Sequence, residues 1–401
     1  MLLDKIILDI FVILKCSFTL SKTRPHILKL AAAAFLFLSA GMSMSKAQDI
    51  IMPERWKTAL TEVHPIFRQD TLTIRFLGDV MMHSAQIADA HRSGDEYDFS
   101  SYFRLIEDDI RDADIAVANM EFTLAGEPYT GYPCFSAPDT LAYHLADCGF
   151  DVFLAANNHI FDKGTKGVLR TIRTYRKLWR ERGIRFTGVA DDTQELQSNN
   201  PLILRRKGIS IALLNFTYGT NMGLGGIWPK TNRMGDRKSI QDALSKAEEN
   251  DADFIIALPH WGTEYQLSHS SEQEEYARWL VENGVDFIIG AHPHVVQDFD
   301  MIDNVPVVYS LGNAISNMSA ANTQLELMAT IRIIRKQNGD IVSLPIELEY
   351  LWCSRPGGYN DSYTVIPVTG FIGRSEEWLN KADYDKMIST YERVRKETGI
   401  E

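Results

Sequence analysis

Seven side chains able to hold a metal or move a proton stand at the ends of apolar runs. Asp79 follows IRFLG, Glu121 follows IAVANM, Asn158 and His159 follow VFLAAN, His260 follows FIIALP, and His292 and His294 follow FIIGA. Asp, Glu, Asn and three imidazoles make a mixed oxygen and nitrogen donor set. Such a set suits Mn, Fe or Zn and suits soft thiolate metals poorly. Each piece alone has an ordinary explanation. A Gly-Asp pair at a strand end commonly marks a turn or cap, Asn158 can bond the backbone of its own turn, and His260 beside Trp261 can be a core histidine with both nitrogens satisfied. The pair in AHPH says more, because two imidazoles two residues apart in a strand share one face. All these ordinary explanations must hold at once for the set to mean nothing, so the metal reading is preferred.

For these residues to meet, the runs before them must be strands with a common edge. From residue 71 the chain alternates such runs with amphipathic stretches. TLTIRFLGDV, DIAVANME and FDVFLAANNH read as strands. FSSYFRLIEDDIRDA, DTLAYHLADCG and KGVLRTIRTYRKLWRERG read as helices, the last closed by Gly183. This alternation predicts βα units and a largely parallel α/β sheet. The carboxyl ends of parallel strands line one crevice, where ligands bind. Further on, PLILRRKGISIALLNFTYG predicts a hairpin turning at Lys207-Gly208. VDFIIGAHPH and VPVVYSLGN read as strands, and Ser271-x-x-Glu274 as a capping box. Leu325 to Trp352 has a period near two with no helix between, so it is expected to be antiparallel, and DYDKMISTYERVRKE forms a helical tail. The Gly- and Asn-rich TNMGLGGIWPKTNRMG is a loop suited to covering a site. Gly223 to Arg233, with Trp228 at its centre, is expected to overhang the pocket, and Trp228, Lys230 and Arg233 are the expected substrate contacts.

The 401 residues, 45% hydrophobic and 23% charged, are those of a globular protein with room for a sizeable core. Residues 1–47 run basic SKTRPHILK, apolar LAAAAFLFLSAGM and then SKA before Gln48, the order of a signal peptide, with retention as an N-terminal anchor the alternative. Lys15 stands where a lipidation signal at Cys16 needs a small residue, so lipidation is not expected. Six basic and two acidic side chains leave with the leader, so 35 basic and 51 acidic ones remain and the net charge moves from −12 to −16. With no Lys/Arg cluster or interleaved aromatic stripe, nucleic acid is excluded as an expected partner. Cys134, Cys148 and Cys353 remain after the leader, too few and too widely spaced for a disulfide scaffold, although a Cys134–Cys148 bridge is open. The organisation expected is a leader at 1–47, a domain at 71–352 and a C-terminal extension with a terminal helix at 353–401.

The segments FLGDVMMH, ANMEFTLAG, AANNHIFDKG, LPHWGTEY, GAHPHVVQ and YSLGN, in this order over residues 72 to 315, resemble the successive motifs of the CapA family. These are capsule or poly-γ-glutamate synthesis proteins similar to calcineurin-like metallophosphoesterases. The resemblance implies a four-layer αββα sandwich with two divalent metal ions. By position, Asp79 and His294 would hold one ion and Asn158, His260 and His292 the other, with Glu121 bridging. His159 would be the proton donor. The chain departs from the phosphoesterase pattern after Asp79, where Asp-x-His is expected and Val80, Met81 and Met82 follow. His83 could replace that imidazole if a turn starts at Val80, but it is the better fit to a surface histidine at a helix start. Asp162 could orient His159, but capping the helix near Gly164 is the commoner role for its position.

Two cations about 3.5–4 Å apart can clamp the attacking and leaving oxygens of a tetrahedral centre, and a neighbouring imidazole can protonate the leaving group. The first reading is therefore an exported hydrolase of the cell envelope, acting on an anionic phosphoester or related ester or amide, small or polymeric. The second is a non-catalytic metal-binding subunit of a capsule-synthesis membrane complex, which the missing Asp-x-His favours. The complete His159, Asn158, His260, His292 and His294 set favours hydrolysis, because pure binding needs no proton donor beside the metal.

Overall fold

The computed structural model describes residues 71–223, 227–336 and 338–400. The leader expected at 1–47, with Cys16, lies outside them. The strands are β1 (Thr71–Val80), β2 (Ile115–Met120), β3 (Val152–Leu154), β4 (Arg185–Thr187), β5 (Val189–Ala190), β6 (Leu202–Arg206), β7 (Ile209–Thr217) and β8 (Lys230–Thr231). They continue with β9 (Phe254–His260), β10 (Phe287–Ile289), β11 (Phe299–Ile302), β12 (Val305–Val308), β13 (Leu325–Arg335), β14 (Ile341–Ser343), β15 (Glu347–Ser354) and β16 (Thr364–Pro367).

One sheet has the order β16-β15-β13-β1-β2-β3-β4, with β14 on β13, and the other the order β11-β12-β10-β9-β7-β6. The centres are parallel, β1 through β4 in one and β7, β9, β10 and β12 in the other, while β13 and β15 are antiparallel as their alternation predicts. Period two decides which side chain enters which layer. Ile211 and Leu213 of β7 join Leu72, Ile74 and Phe76 of β1 in a core between the sheets. Ala212 and Leu214 face the other way and pack with Ile240, Leu244, Tyr276 and Leu280 of two helices, Arg237–Glu249 and Ser271–Glu282. A third core joins Ala116, Ala118 and Phe153 to Leu141, Ile172 and Tyr175 of the helices Asp139–Cys148 and Gly164–Arg182. Three cores separate four layers, so the architecture is αββα.

Local signals hold where backbone chemistry is local. Lys207 (φ 51°) and Gly208 (φ 73°) turn β6 into β7, and the helix Gly164–Arg182 ends on Gly183 at φ 78°. The terminal helix runs Lys381–Thr398 and places Met387 and Val394 in the inter-sheet core. Other readings are corrected. The helix expected over FSSYFRLIEDDIRDA contracts to Glu107–Arg111, because Phe99, Tyr102 and Phe103 are buried from turns. The capping box is Ser270 with Gln273, one residue earlier than predicted, since Ser270 Oγ accepts from Gln273 N. Cys134, Cys148 and Cys353 are free. Cys148 is buried in the helix-side core with Sγ 3.3 Å from His144 Nε2, and burial pushes its thiol up to about 12.

Glu326, on β13, is fully buried beneath the site. Its Oε1 accepts from Gly78 N at 2.7 Å, Oε2 has no partner among the described residues, and burial raises its acid well above the usual range. The folded chain therefore keeps a proton that the unfolded chain loses above about pH 4.3, so this group's contribution to stability falls as pH rises from there. Glu326→Gln keeps the acceptor for Gly78 and removes the titration. Its melting temperature, relative to the wild type, should climb between pH 4 and pH 8, and parallel curves would refute this account.

Candidate metal centre

The parallel strands of both sheets carry donors at their carboxyl ends. Asp79 is the penultimate residue of β1, Glu121 follows β2, and His260 closes β9, with exposures of 0%, 0% and 1%. Asn158 and His159 lie four and five residues past β3, and His292 and His294 three and five past β10. That last spacing corrects a prediction. The strand stops at Ile289, so the two histidines do not share a strand face. They converge because His292 and His294 both take left-handed backbone, φ 101° and 60°. Non-glycine residues held so cost of order 1–3 kcal/mol each and persist where surrounding contacts over-determine them. Here His292 N donates to Asp79 Oδ2 at 3.1 Å, and Trp261 N to Ala291 O at 3.0 Å.

The seven residues meet in one buried cluster. Glu121 Oε1 lies 3.6 Å from His260 Nε2, 3.8 Å from His294 Nε2 and 3.9 Å from His159 Nε2. His294 Nδ1 is 3.4 Å from Asp79 Oδ2, and Asn158 Oδ1 is 2.8 Å from His260 Nε2. Two donor triplets share Glu121: Glu121 with His260 and His292, and Asp79 with Glu121 and His294.

A cation fits this set. Both oxygens of Glu121 are buried with no hydrogen-bond partner among the described residues, and so is His292 Nδ1. Burial, reinforced by the Asp79 carboxylate, pushes the Glu121 acid well above its usual range. A buried carboxylate with no partner is costly, and a cation between it and the imidazoles removes that cost. Burial lowers His292 to about 3 and holds His260 well below the usual imidazole range, so both are neutral at neutral pH, the form a metal needs.

Neighbours fix the rings. Asn313 Oδ1 sits 2.9 Å from His294 Nδ1, directing Nε2 at Glu121. Asn119 Nδ2 donates to Asp79 Oδ1 at 2.6 Å and reaches His260 Nδ1 at 3.1 Å. Such outer partners hold ring orientation. His159 Nδ1 lies 2.7 Å from Asp162 Oδ2, which also accepts Phe135 N, while Phe135 packs edge-on to the imidazole. Asp162 therefore orients His159 and is no helix cap: the cap residue is Lys163, without a side-chain bond. With Nδ1–H on the carboxylate, His159 Nε2 is the atom left to exchange a proton.

Residues 73–318 match the family described as Bacterial capsule synthesis protein PGA_cap. The chain belongs to this family. Within reach of it, the capsule biosynthesis protein CapA of Bacillus anthracis is 27% identical over 319 residues, 74% of each chain. The PGA biosynthesis protein CapA of Bacillus subtilis (strain 168) is 24% identical over 340 residues, 82% of each. Among solved structures, the NAD nucleotidase of Haemophilus influenzae aligns with 14% identity and a TM-score of 0.40, over 80% of this chain and 62% of that longer one. No helix among the described residues is long and apolar enough to cross a membrane.

In this family member the remaining expected residues are scattered. Arg233 lines a cavity of about 340 Å³ with Tyr218, Gly235 and Asp236, and the Tyr218 ring stands 4.5 Å from that of His292. Lys230 lies over the Trp228 ring at 4.8 Å, and no hydrogen bond, ion pair or ring contact joins that pair to the donor cluster among the described residues. Asn221, at the start of the same loop, is the residue that reaches the cluster, with Nδ2 3.4 Å from His159 and its backbone N on Asn158 O. His83 is half-buried before the helix Ser84–Ala90, where Nδ1 meets Gln86 Oε1 at 3.1 Å and Asn317 N at 3.3 Å. It joins neither triplet. Sequence reading missed the positioning roles of Asn119 and Asn313, since an Asn within or after a strand carries no distinctive signal.

Gly290 precedes the histidine loop, and a Cβ there would lie 2.0 Å from Tyr309 O and 2.5 Å from Trp261 Nε1. Gly290→Ala should cost about 3 kcal/mol or more, read by denaturant unfolding; a near-neutral result would mean the loop has slack this packing denies.

Proposed function

We propose that this chain is an exported two-metal hydrolase of capsule or poly-γ-glutamate synthesis, acting on a phosphoester or a related anionic ester or amide. The observation that carries the reading is Glu121, a fully buried carboxylate without a hydrogen-bond partner among the described residues and faced by three imidazoles, one of which, His159, is oriented by a second carboxylate. Asp79, Glu121 and His294 would hold one ion, and Glu121, Asn158, His260 and His292 the other. When bound, two divalent ions, Mn, Fe or Zn by donor type, supply Lewis-acid polarisation of the substrate and a nucleophile from water at neutral pH. The chain does the rest. His159, its Nδ1 proton held by Asp162, gives a proton from Nε2 to the leaving group. The neighbouring amides of Asn119 and Asn313 keep His260 and His294 aimed. Arg233, beside Tyr218, offers positive charge to an anionic substrate, and Trp228 with Lys230 would extend that contact for a larger one.

A second reading, a non-catalytic subunit of a capsule or poly-γ-glutamate synthesis and export complex, draws on Val80, Met81 and Met82, apolar and buried where a metal histidine is expected. Metal analysis of the purified protein, with rates on phosphomonoesters, phosphodiesters and γ-glutamyl peptides, separates the two. Bound metal with chelator-sensitive turnover on one class supports hydrolysis. Bound metal without turnover on any class supports the subunit. Protein that takes up no metal sinks both.

A further inference from the structure

We propose that Glu264 is a metal ligand that completes the Asp79–His294 centre in place of the missing histidine. The inference rests on the two-metal reading above and adds a residue to it. The Glu264 carboxylate, His292 and His294 form a third triplet, with one ligand atom from each lying within 4.8 Å of the others. It shares His292 with one of the other triplets and His294 with the other, so Glu264 adjoins both centres.

The backbone is built to hold it there. After β9 ends at His260, the chain turns at Gly262 (φ 97°) and is stitched to the histidine loop. Ala291 N donates to Pro259 O, Trp261 N to Ala291 O, and Tyr265 N to Pro293 O at 2.9 Å. Tyr265, directly after Glu264, takes φ 66°, so three non-glycine residues in these two loops sit in left-handed backbone. Strain of that kind clusters where side chains must be aimed. The alternatives for the vacancy are weaker. Val80, Met81 and Met82 are buried apolar side chains, and His83 belongs to none of the donor triplets among the described residues. Glu264 is only half-buried while the other donors are buried. It therefore closes the set from the solvent side, where an ion enters. A carboxylate in place of an imidazole also shifts the centre towards harder cations such as Mn over Zn.

The test is Mn²⁺ titration calorimetry with elemental analysis on the wild type, Glu264→Gln, Glu264→Asp and the exposed control Glu282→Gln. Thermal unfolding in chelator checks that each is folded. The wild type and the control should bind two ions. Glu264→Gln should keep one tight ion and bind the other at least ~10–100-fold more weakly, the loss known for a mere outer partner. Glu264→Asp, which retains the carboxylate, should recover part of the difference even if the Gln variant folds poorly. Equal binding of two ions by Glu264→Gln and the wild type overturns the inference and leaves the two-metal reading standing. A wild type that binds one ion overturns the inference, and one that binds none overturns that reading with it.

Discussion

His159→Ala should keep its metal and lose turnover by ~10²–10⁴ on substrates with poor leaving groups, the range general acid catalysis supplies. The imidazole touches Glu121 only at 3.9 Å, and its Nδ1 is committed to Asp162, so its loss removes a proton source and leaves the other donors in place. A nitrophenolate leaving group needs little protonation, and on it the defect should shrink. Asp162→Asn should fall the same way by a smaller factor, because the ring loses its orientation and tautomer but not its proton. Elemental analysis with rates on two leaving groups reads all of this. Metal lost from His159→Ala would make His159 a ligand. Metal kept with full activity on the poor leaving group would hand the site to the binding-subunit reading. Asn158→Ala is the contrast: its amide oxygen lies against His260, so occupancy and activity should fall together.

Glu121→Gln should separate stability from function with opposite signs. As the shared residue of two donor triplets it should bind neither ion tightly, and loss of several kcal/mol of transition-state stabilisation lowers the rate by ~10³ or more. Yet the metal-free variant should melt no lower than the metal-free wild type, because a buried carboxyl group with neither oxygen partnered among the described residues is replaced by a neutral amide. The wild type should gain about 2.7 kcal/mol for each Mn²⁺ bound at a hundredfold excess over its Kd, and the variant almost none. Scanning calorimetry with and without Mn²⁺ measures both. A variant that gains as much from Mn²⁺ as the wild type removes Glu121 from the ligand set.

The sequence by itself determined the donor types, the apolar runs that carry them and the layers those runs enter. Period two along β7 sends Ile211 and Leu213 to one core and Ala212 and Leu214 to another, and Lys207-Gly208 and Gly183 act through local backbone freedom alone. Burial and turn chemistry are short-range, so they are written in short stretches. Tertiary structure alone decided how the donors are aimed. The strand before the histidine pair was predicted to present them on one face, but left-handed backbone, held by Asp79 from 213 residues away, does so instead. Asp162 looked like a helix cap because sequence shows its distance to Gly164 but not to a ring folded back over it. Asn119, Asn313 and Glu264 acquire meaning only when strands from two sheets bring their carboxyl ends to one edge, since a hydrogen bond between residues 141 apart, such as Asn119 to His260, leaves no periodicity in either segment.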